Sequence, residues 1–223
     1  MYEQPATALT PALIVYIIDA SESMKGACGS TTKIALVNRA LRDVLKDMVR
    51  RSFRDGIPQQ RYHIAIYAYA SRVVDVTSGV RDLASVLEVG IPEVTAGGET
   101  DTSAAFAAAE LLLQRHLTQY QRCPAPLVCH LTDGKFTTAD PTPIIRRIQA
   151  MQVPDGNVLV ENIFVANNML RNPVADWAPW GGVKRAKDLA DEYAQFFFDR
   201  SSPLPESYRI NVNNYGYALE PGA

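Results

Sequence analysis

The chain has 223 residues and a mass of 24.5 kDa, enough for one well-buried domain and short for two. Hydrophobic residues make up 47% and charged residues 21%, and 22 Lys plus Arg against 24 Asp plus Glu give a formal net charge of -2, which argues against a generally basic nucleic-acid surface. No apolar stretch approaches the roughly 20 residues that cross a bilayer, and MYEQPATALTP lacks the basic start and apolar core of a signal, so a cytoplasmic location without membrane insertion is expected.

The first organised segment is 12–18, ALIVYII, a continuous apolar run that reads as a strand buried on both faces. It stops at Asp19 and passes into the small polar turn DASESMKG and then the loop GACGST. The loop leads to a helix over 33–53, in which Ile34, Val37, Leu41, Val44, Leu45 and Met48 recur at helical spacing and Ser30, Thr31 and Thr32 are candidate N-caps. Gly56 and Pro58 break the chain before a second strand at 61–69. A short strand is expected at 72–77 and a short helix at 82–87. The polar loop TAGGETDTS precedes an Ala/Leu-rich helix over 103–116. Pro124 and Pro126 precede the strand LVCHL, which ends at Thr132, Asp133 and Gly134. Pro141 and Pro143 open a helix running to Met151, and 159–165 is the fifth expected strand. After a polar and aromatic connection over 167–182 that includes Trp177 and Trp180, the last strong helix is expected at 184–198, with Ala186, Leu189, Ala190, Tyr193 and Phe197 near one stripe. The tail from Ser201 is rich in Pro and Asn, and Pro203 to Pro205 are placed to cap a short closing helix.

Apolar strands alternating with helices define an α/β protein: a three-layer, doubly wound, mainly parallel open sheet flanked by helices. In such folds ligands gather beyond the carboxyl ends of the strands, which puts the loops after Ile18 and Leu131 at one edge. Asp19, Ser21 and Ser23 alternate in the first of these loops, so an extended turn can aim three oxygens at one centre. Thr100, Asp101 and Thr102 supply oxygens from the second loop and Asp133 from the third. Hard oxygen donors suit Mg²⁺, with Mn²⁺ as the alternative, better than zinc. The cysteines agree: Cys28, Cys123 and Cys129 contain no CxxC pair, and neither a disulfide scaffold nor a structural zinc site is indicated. Taken one at a time these residues can equally be turn and helix caps; their convergence on one sheet edge is what points to a metal.

The set Asp19-Ala20-Ser21-Glu22-Ser23, Thr100 within GGETDTSAA and Asp133 within LTDGK resembles the metal-ion-dependent adhesion site of the von Willebrand factor type A domain. The resemblance implies a single type A domain over 12–200, with 1–11 as an N-terminal extension and 201–223 as a tail or closing helix. It implies Ser21, Ser23 and Thr100 as direct or state-dependent ligands, and Asp19 and Asp133 acting mostly through water or hydrogen bonds. One departure stands out. The family threonine commonly follows Gly-Gly directly, whereas Glu99 intervenes here, and a shifted register would select Thr102 instead.

A first shell poor in carboxylates leaves the metal positive enough to accept an Asp or Glu from a protein partner. The resemblance therefore implies a metal-dependent interaction module, in the manner of intracellular bacterial scaffolds that work beside kinase, phosphatase or AAA-type ATPase partners, tellurium-resistance-associated proteins among them. A metal-assisted hydrolase or phosphoesterase is the alternative, but no general base or substrate-clamping Arg/Lys set accompanies the ligands. His63, His116 and His130 are scattered and read as structural or surface residues.

Overall fold

In a computed structural model of the chain, residues 1–221 are described except 55, 92, 176 and 177. The central sheet holds β1 (Ala12–Asp19), β2 (Tyr62–Tyr69), β3 (Val73–Asp75), β4 (Leu127–Thr132) and β5 (Leu159–Phe164) in the order β5-β4-β1-β2-β3. β1 runs parallel to β2 and to β4, and β4 parallel to β5. β3 closes one edge antiparallel to β2, and Arg81–Asp82 pairs antiparallel with the start of β2.

Alternation along β1 explains the two cores. Leu13, Val15 and Ile17 face one side, while Tyr16 and Ile18 face the other, and all five are buried. On the second side lie α1 (Lys33–Ser52), through Val37, Leu41, Leu45 and Met48, and α2 (Leu83–Val89), through Leu83 and Val86. On the first lie α3 (Thr102–His116), α4 (Thr142–Ala150) and α5 (Glu192–Phe198), through Ala105, Ala109, Ile145, Ile148 and Phe197. Alanines on α3 let that helix sit close to the sheet. The result is the three-layer, mainly parallel α/β architecture expected from the sequence. Among the described residues no helix is long and apolar enough to cross a membrane.

Helix ends follow side-chain chemistry. The Thr32 hydroxyl caps α1 by accepting the Ala35 N–H (3.3 Å), and Asp101 caps α3 by accepting the Ala104 N–H (3.0 Å). The expected helix at 184–198 is shorter in the structure. Ala186–Asp188 is a single 3₁₀ turn, Leu189 is extended and bridges Leu170, and α5 starts only after Asp191 accepts the Tyr193 and Ala194 N–H groups. A well-placed cap there outweighs the continuous apolar stripe. The tail holds α6 (Glu206–Asn213), whose Ser207 hydroxyl donates to the Tyr2 carbonyl (2.6 Å). The segment before it covers the free edge of β5, where the Ser202 N–H donates to the Val160 carbonyl (2.7 Å). Trp180 is partly exposed, and Trp177 lies outside the described residues.

Candidate metal centre

β1 delivers Asp19 to the carboxyl end of the sheet and buries it completely. Two donors hold its carboxylate: the Ser21 N–H on Oδ1 (2.9 Å) and the Thr132 hydroxyl on Oδ2 (2.7 Å). After Asp19 the chain makes a 3₁₀ turn, Glu22–Lys25, pinned by the buried Met24 side chain. The turn brings the Ser21 and Ser23 hydroxyls to 3.0 Å, and Ser23 Oγ donates to Asp133 Oδ1 at 2.9 Å. Because the one Ser23 proton is used on Asp133, the Ser21 hydroxyl is the donor to Ser23. Lone pairs on both hydroxyl oxygens remain open, as a cation requires.

The second loop docks on the first through backbone: the Glu22 N–H donates to the Gly98 carbonyl (2.9 Å) and the Gly97 N–H to the Ala20 carbonyl (2.7 Å). Gly98 adopts φ +91°, which carries the additional Glu99 on the surface. Thr100 is buried, and its N–H donates to Thr137 Oγ1 (3.1 Å) while its carbonyl accepts the Thr137 N–H (3.1 Å). Among the described residues no hydrogen bond ties the Thr100 side chain to the Ser21–Ser23–Asp133 group. Thr102, the competing choice, is the first residue of α3, and its hydroxyl donates to the Tyr69 hydroxyl (3.4 Å).

Electrostatically the site is a pair of carboxylates short of positive charge. Burial pushes the Asp19 carboxyl up, the hydrogen bonds from Ser21 and Thr132 oppose this, and the Asp133 charge adds to it. Burial, and then Asp19, also pushes Tyr69 well above the ordinary phenol range. A cation here would relieve both.

Three features escape a sequence reading based on ligand spacing. Thr132, next to Asp133, is the strut under Asp19 and also accepts the Gly134 N–H (2.9 Å). Behind it His130 is fully buried: its Nδ1–H donates to Asn162 Oδ1 (2.8 Å) and its Nε2 accepts the Tyr69 hydroxyl proton (2.7 Å). Burial drops this imidazole to about 4, consistent with the structural role expected of it. The third feature is Lys33, whose ammonium lies 2.7 Å from Asp133 Oδ2. Among the described residues no cluster of three or more His, Cys, Asp or Glu side chains is arranged to hold a metal, so the donors here are chiefly hydroxyls.

A doubly wound sheet with hydroxyls and two carboxylates at its carboxyl edge defines an α/β domain with an oxygen-donor loop site. The chain belongs to the von Willebrand factor type A domain family, whose model matches residues 14–136, more than half of its length. Among solved structures it is similar to the SpRpn10 VWA domain, with 9% identity, 70% of this chain and 75% of that chain covered, and a TM-score of 0.51. It is also similar to proximal thread matrix protein 1 from the mussel byssus with a zinc-occupied MIDAS motif (16% identity, 70% and 36% covered, TM-score 0.50). A third likeness is to three N-terminal domains of the type V pili tip protein Mfa5 from Porphyromonas gingivalis (18% identity, 57% and 20% covered, TM-score 0.44). The chain thus spans only a minor part of the byssus and pilus structures. No curated protein matches it.

Proposed function

We propose that this protein is a divalent-metal-dependent interaction module that captures an acidic side chain of a protein partner. The observation that carries the reading is the Ser21–Ser23–Asp133 chain of contacts at the sheet edge, with Asp19 held behind it. Ser21, Ser23 and Thr100 are the proposed hydroxyl ligands, while Asp19 and Asp133 orient them and balance charge through hydrogen bonds or water. Mg²⁺ is the proposed ion and Mn²⁺ the alternative; once bound, it supplies a Lewis-acidic position for a partner carboxylate. Zinc in the byssus protein's MIDAS motif supports a divalent ion in this family without selecting which. The proposed setting is a bacterial cytoplasm, as a scaffold beside kinase, phosphatase or ATPase partners. Three free cysteines support a reducing compartment.

Capture of partners in Mg²⁺, repeated in chelator and with Ser21→Ala/Ser23→Ala protein, tests the reading. The expected result is shared loss of the same partner, and loss of that partner's binding when one of its Glu or Asp residues becomes the amide. Binding that survives both chelation and the double substitution would overturn it.

The ligand register has its own test. The Thr102 hydroxyl is engaged at Tyr69, whereas Thr100 is buried beside the docked loops. Thr100→Ala should weaken Mn²⁺ binding about tenfold, and Thr102→Ala should instead cost about 1 kcal/mol of fold stability with little change in Mn²⁺ affinity. Titration calorimetry read with denaturant unfolding separates the two. The reverse pattern would move the ligand to Thr102.

A further inference from the structure

The first residue of α1 is one that the helix itself disfavours. Lys33 puts a cation at the positive end of the helix dipole, and no acidic residue lies in that first turn to offset it. Local rules broken in this way tend to mark functional positions. The short hairpin of Ala27–Cys28 with Thr31–Thr32, and the Lys33 N–H donated to the Gly26 carbonyl (2.9 Å), bring the helix start back over the Ser21–Ser23 turn. Lys33 Nζ then reaches Asp133 Oδ2 at 2.7 Å, across 100 positions of sequence. The two side chains are only 20% and 4% exposed, so this is no solvated surface pair. The other oxygen of the same carboxylate accepts the Ser23 hydroxyl. A tethered positive charge therefore shares Asp133 with a proposed metal ligand.

We infer that Lys33 is a built-in competitor of the divalent ion, which lowers the site's affinity for the ion alone and ties its retention to an acidic ligand. The inference rests on the metal-binding reading above. Charge counting gives the reason. Asp19 and Asp133 contribute two negative charges, the ion two positive charges and Lys33 one more, so the loaded site is left at plus one. A single partner carboxylate brings it to neutrality. Without Lys33 the loaded site is neutral already, and the carboxylate gains less. Two cations around one buried carboxylate repel each other strongly in a weakly screened setting, so removing the fixed one favours the mobile one.

The experiment is a Mn²⁺ titration followed by the electron paramagnetic resonance of the free ion. It compares wild type, Lys33→Met, which keeps much of the apolar stem, Lys33→Arg, which keeps the charge, and Ser21→Ala. Lys33→Met should bind Mn²⁺ at least tenfold more tightly, with a larger rise in melting temperature on adding the ion, while Lys33→Arg stays near wild type. Equal or weaker binding by folded Lys33→Met, beside a wild type that binds and a Ser21→Ala protein that does not, would overturn the role of Lys33 and leave the metal reading standing. Absence of Mn²⁺ binding in wild type and in Lys33→Met alike would overturn both. A second measurement needs no variant at this position: the Lys33 ammonium ¹⁵N resonance of the wild type should shift on saturation with diamagnetic Mg²⁺ as its hold on Asp133 loosens. An unchanged Lys33 signal at saturating Mg²⁺, with other site resonances moved, would reject competition even if Lys33→Met failed to fold.

Discussion

Gly134→Ala should unfold at a much lower denaturant concentration than wild type, with a loss of roughly 3–5 kcal/mol. Two costs combine. Gly134 sits at φ +101°, a region that L side chains rarely adopt, so any Cβ strains the turn after β4. The added methyl would also overlap the Cε2 edge of Phe164 and stand 2.6 Å from Tyr193 Cβ and 2.8 Å from Phe164 Cζ. Tyr193 Cβ cannot yield without moving the first turn of α5, and Phe164, the last residue of β5, must swing its ring aside. The turn also holds Asp133, so the strain reaches the site. Mn²⁺ affinity should fall in whatever fraction remains folded, because Asp133 must keep its place for the Ser23 hydroxyl. A shift below about 1 kcal/mol in equilibrium unfolding would show that β5 and α5 move apart freely and that the turn is not held as described.

The same turn shows what a sequence can and cannot disclose. The sheet was legible because buried parallel strands leave apolar runs: β1 has an unbroken one and β4 one interrupted by His130, while β5 keeps only apolar ends around Glu161 and Asn162. Asp19, Ser21 and Ser23 were legible as a set because side-chain spacing within one turn survives in one dimension. Thr132 reads as the start of the polar turn that ends the LVCHL strand, and only the packing of β4 beside β1 makes it the donor to Asp19, 113 positions earlier. Lys33 was hidden differently. It reads as one more solvated charge at a helix start, and the hairpin that folds it back is made of two-residue strands too short to leave a pattern. The break at Leu189 was missed because apolar periodicity cannot show that a single carboxylate, Asp191, restarts the helix.

Glu161→Gln should make the protein more stable in alkali and change the shape of its pH profile. Glu161 lies on β5 opposite Cys129 of β4, and its Oε1 is sealed from solvent without a hydrogen-bond partner among the described residues. Burial pushes its carboxyl from the ordinary 4.5 up to about 8. Among the described residues no cation compensates it: the Cys129 thiol is driven up to about 12 by burial and by Glu161 itself, and the Tyr208 phenol of α6 is raised by burial and, among other charges, by that of Glu161. Between pH 4.5 and 8 the folded protein therefore holds a proton on Glu161 that the unfolded chain has released, so stability falls as pH rises through that window. His130 works in the opposite sense. Its folded value of about 4 lies below the ordinary 6.5, so the unfolded chain binds the extra proton there and stability falls as pH drops through that interval. The two slopes oppose each other from about 4.5 to 6.5 and leave the wild-type contribution nearly flat; above 6.5 only the Glu161 loss continues, until about 8. Of these two contributions, removing the carboxylate should leave only the His130 rise, level above pH 6.5, and favour the variant at pH 9 by roughly 3–5 kcal/mol less the cost of burying the amide. Urea unfolding of both proteins from pH 4 to 9 measures the two curves directly. Parallel curves would mean that Glu161 is hydrated in the folded protein and that β5 is more open than its sealed oxygen implies.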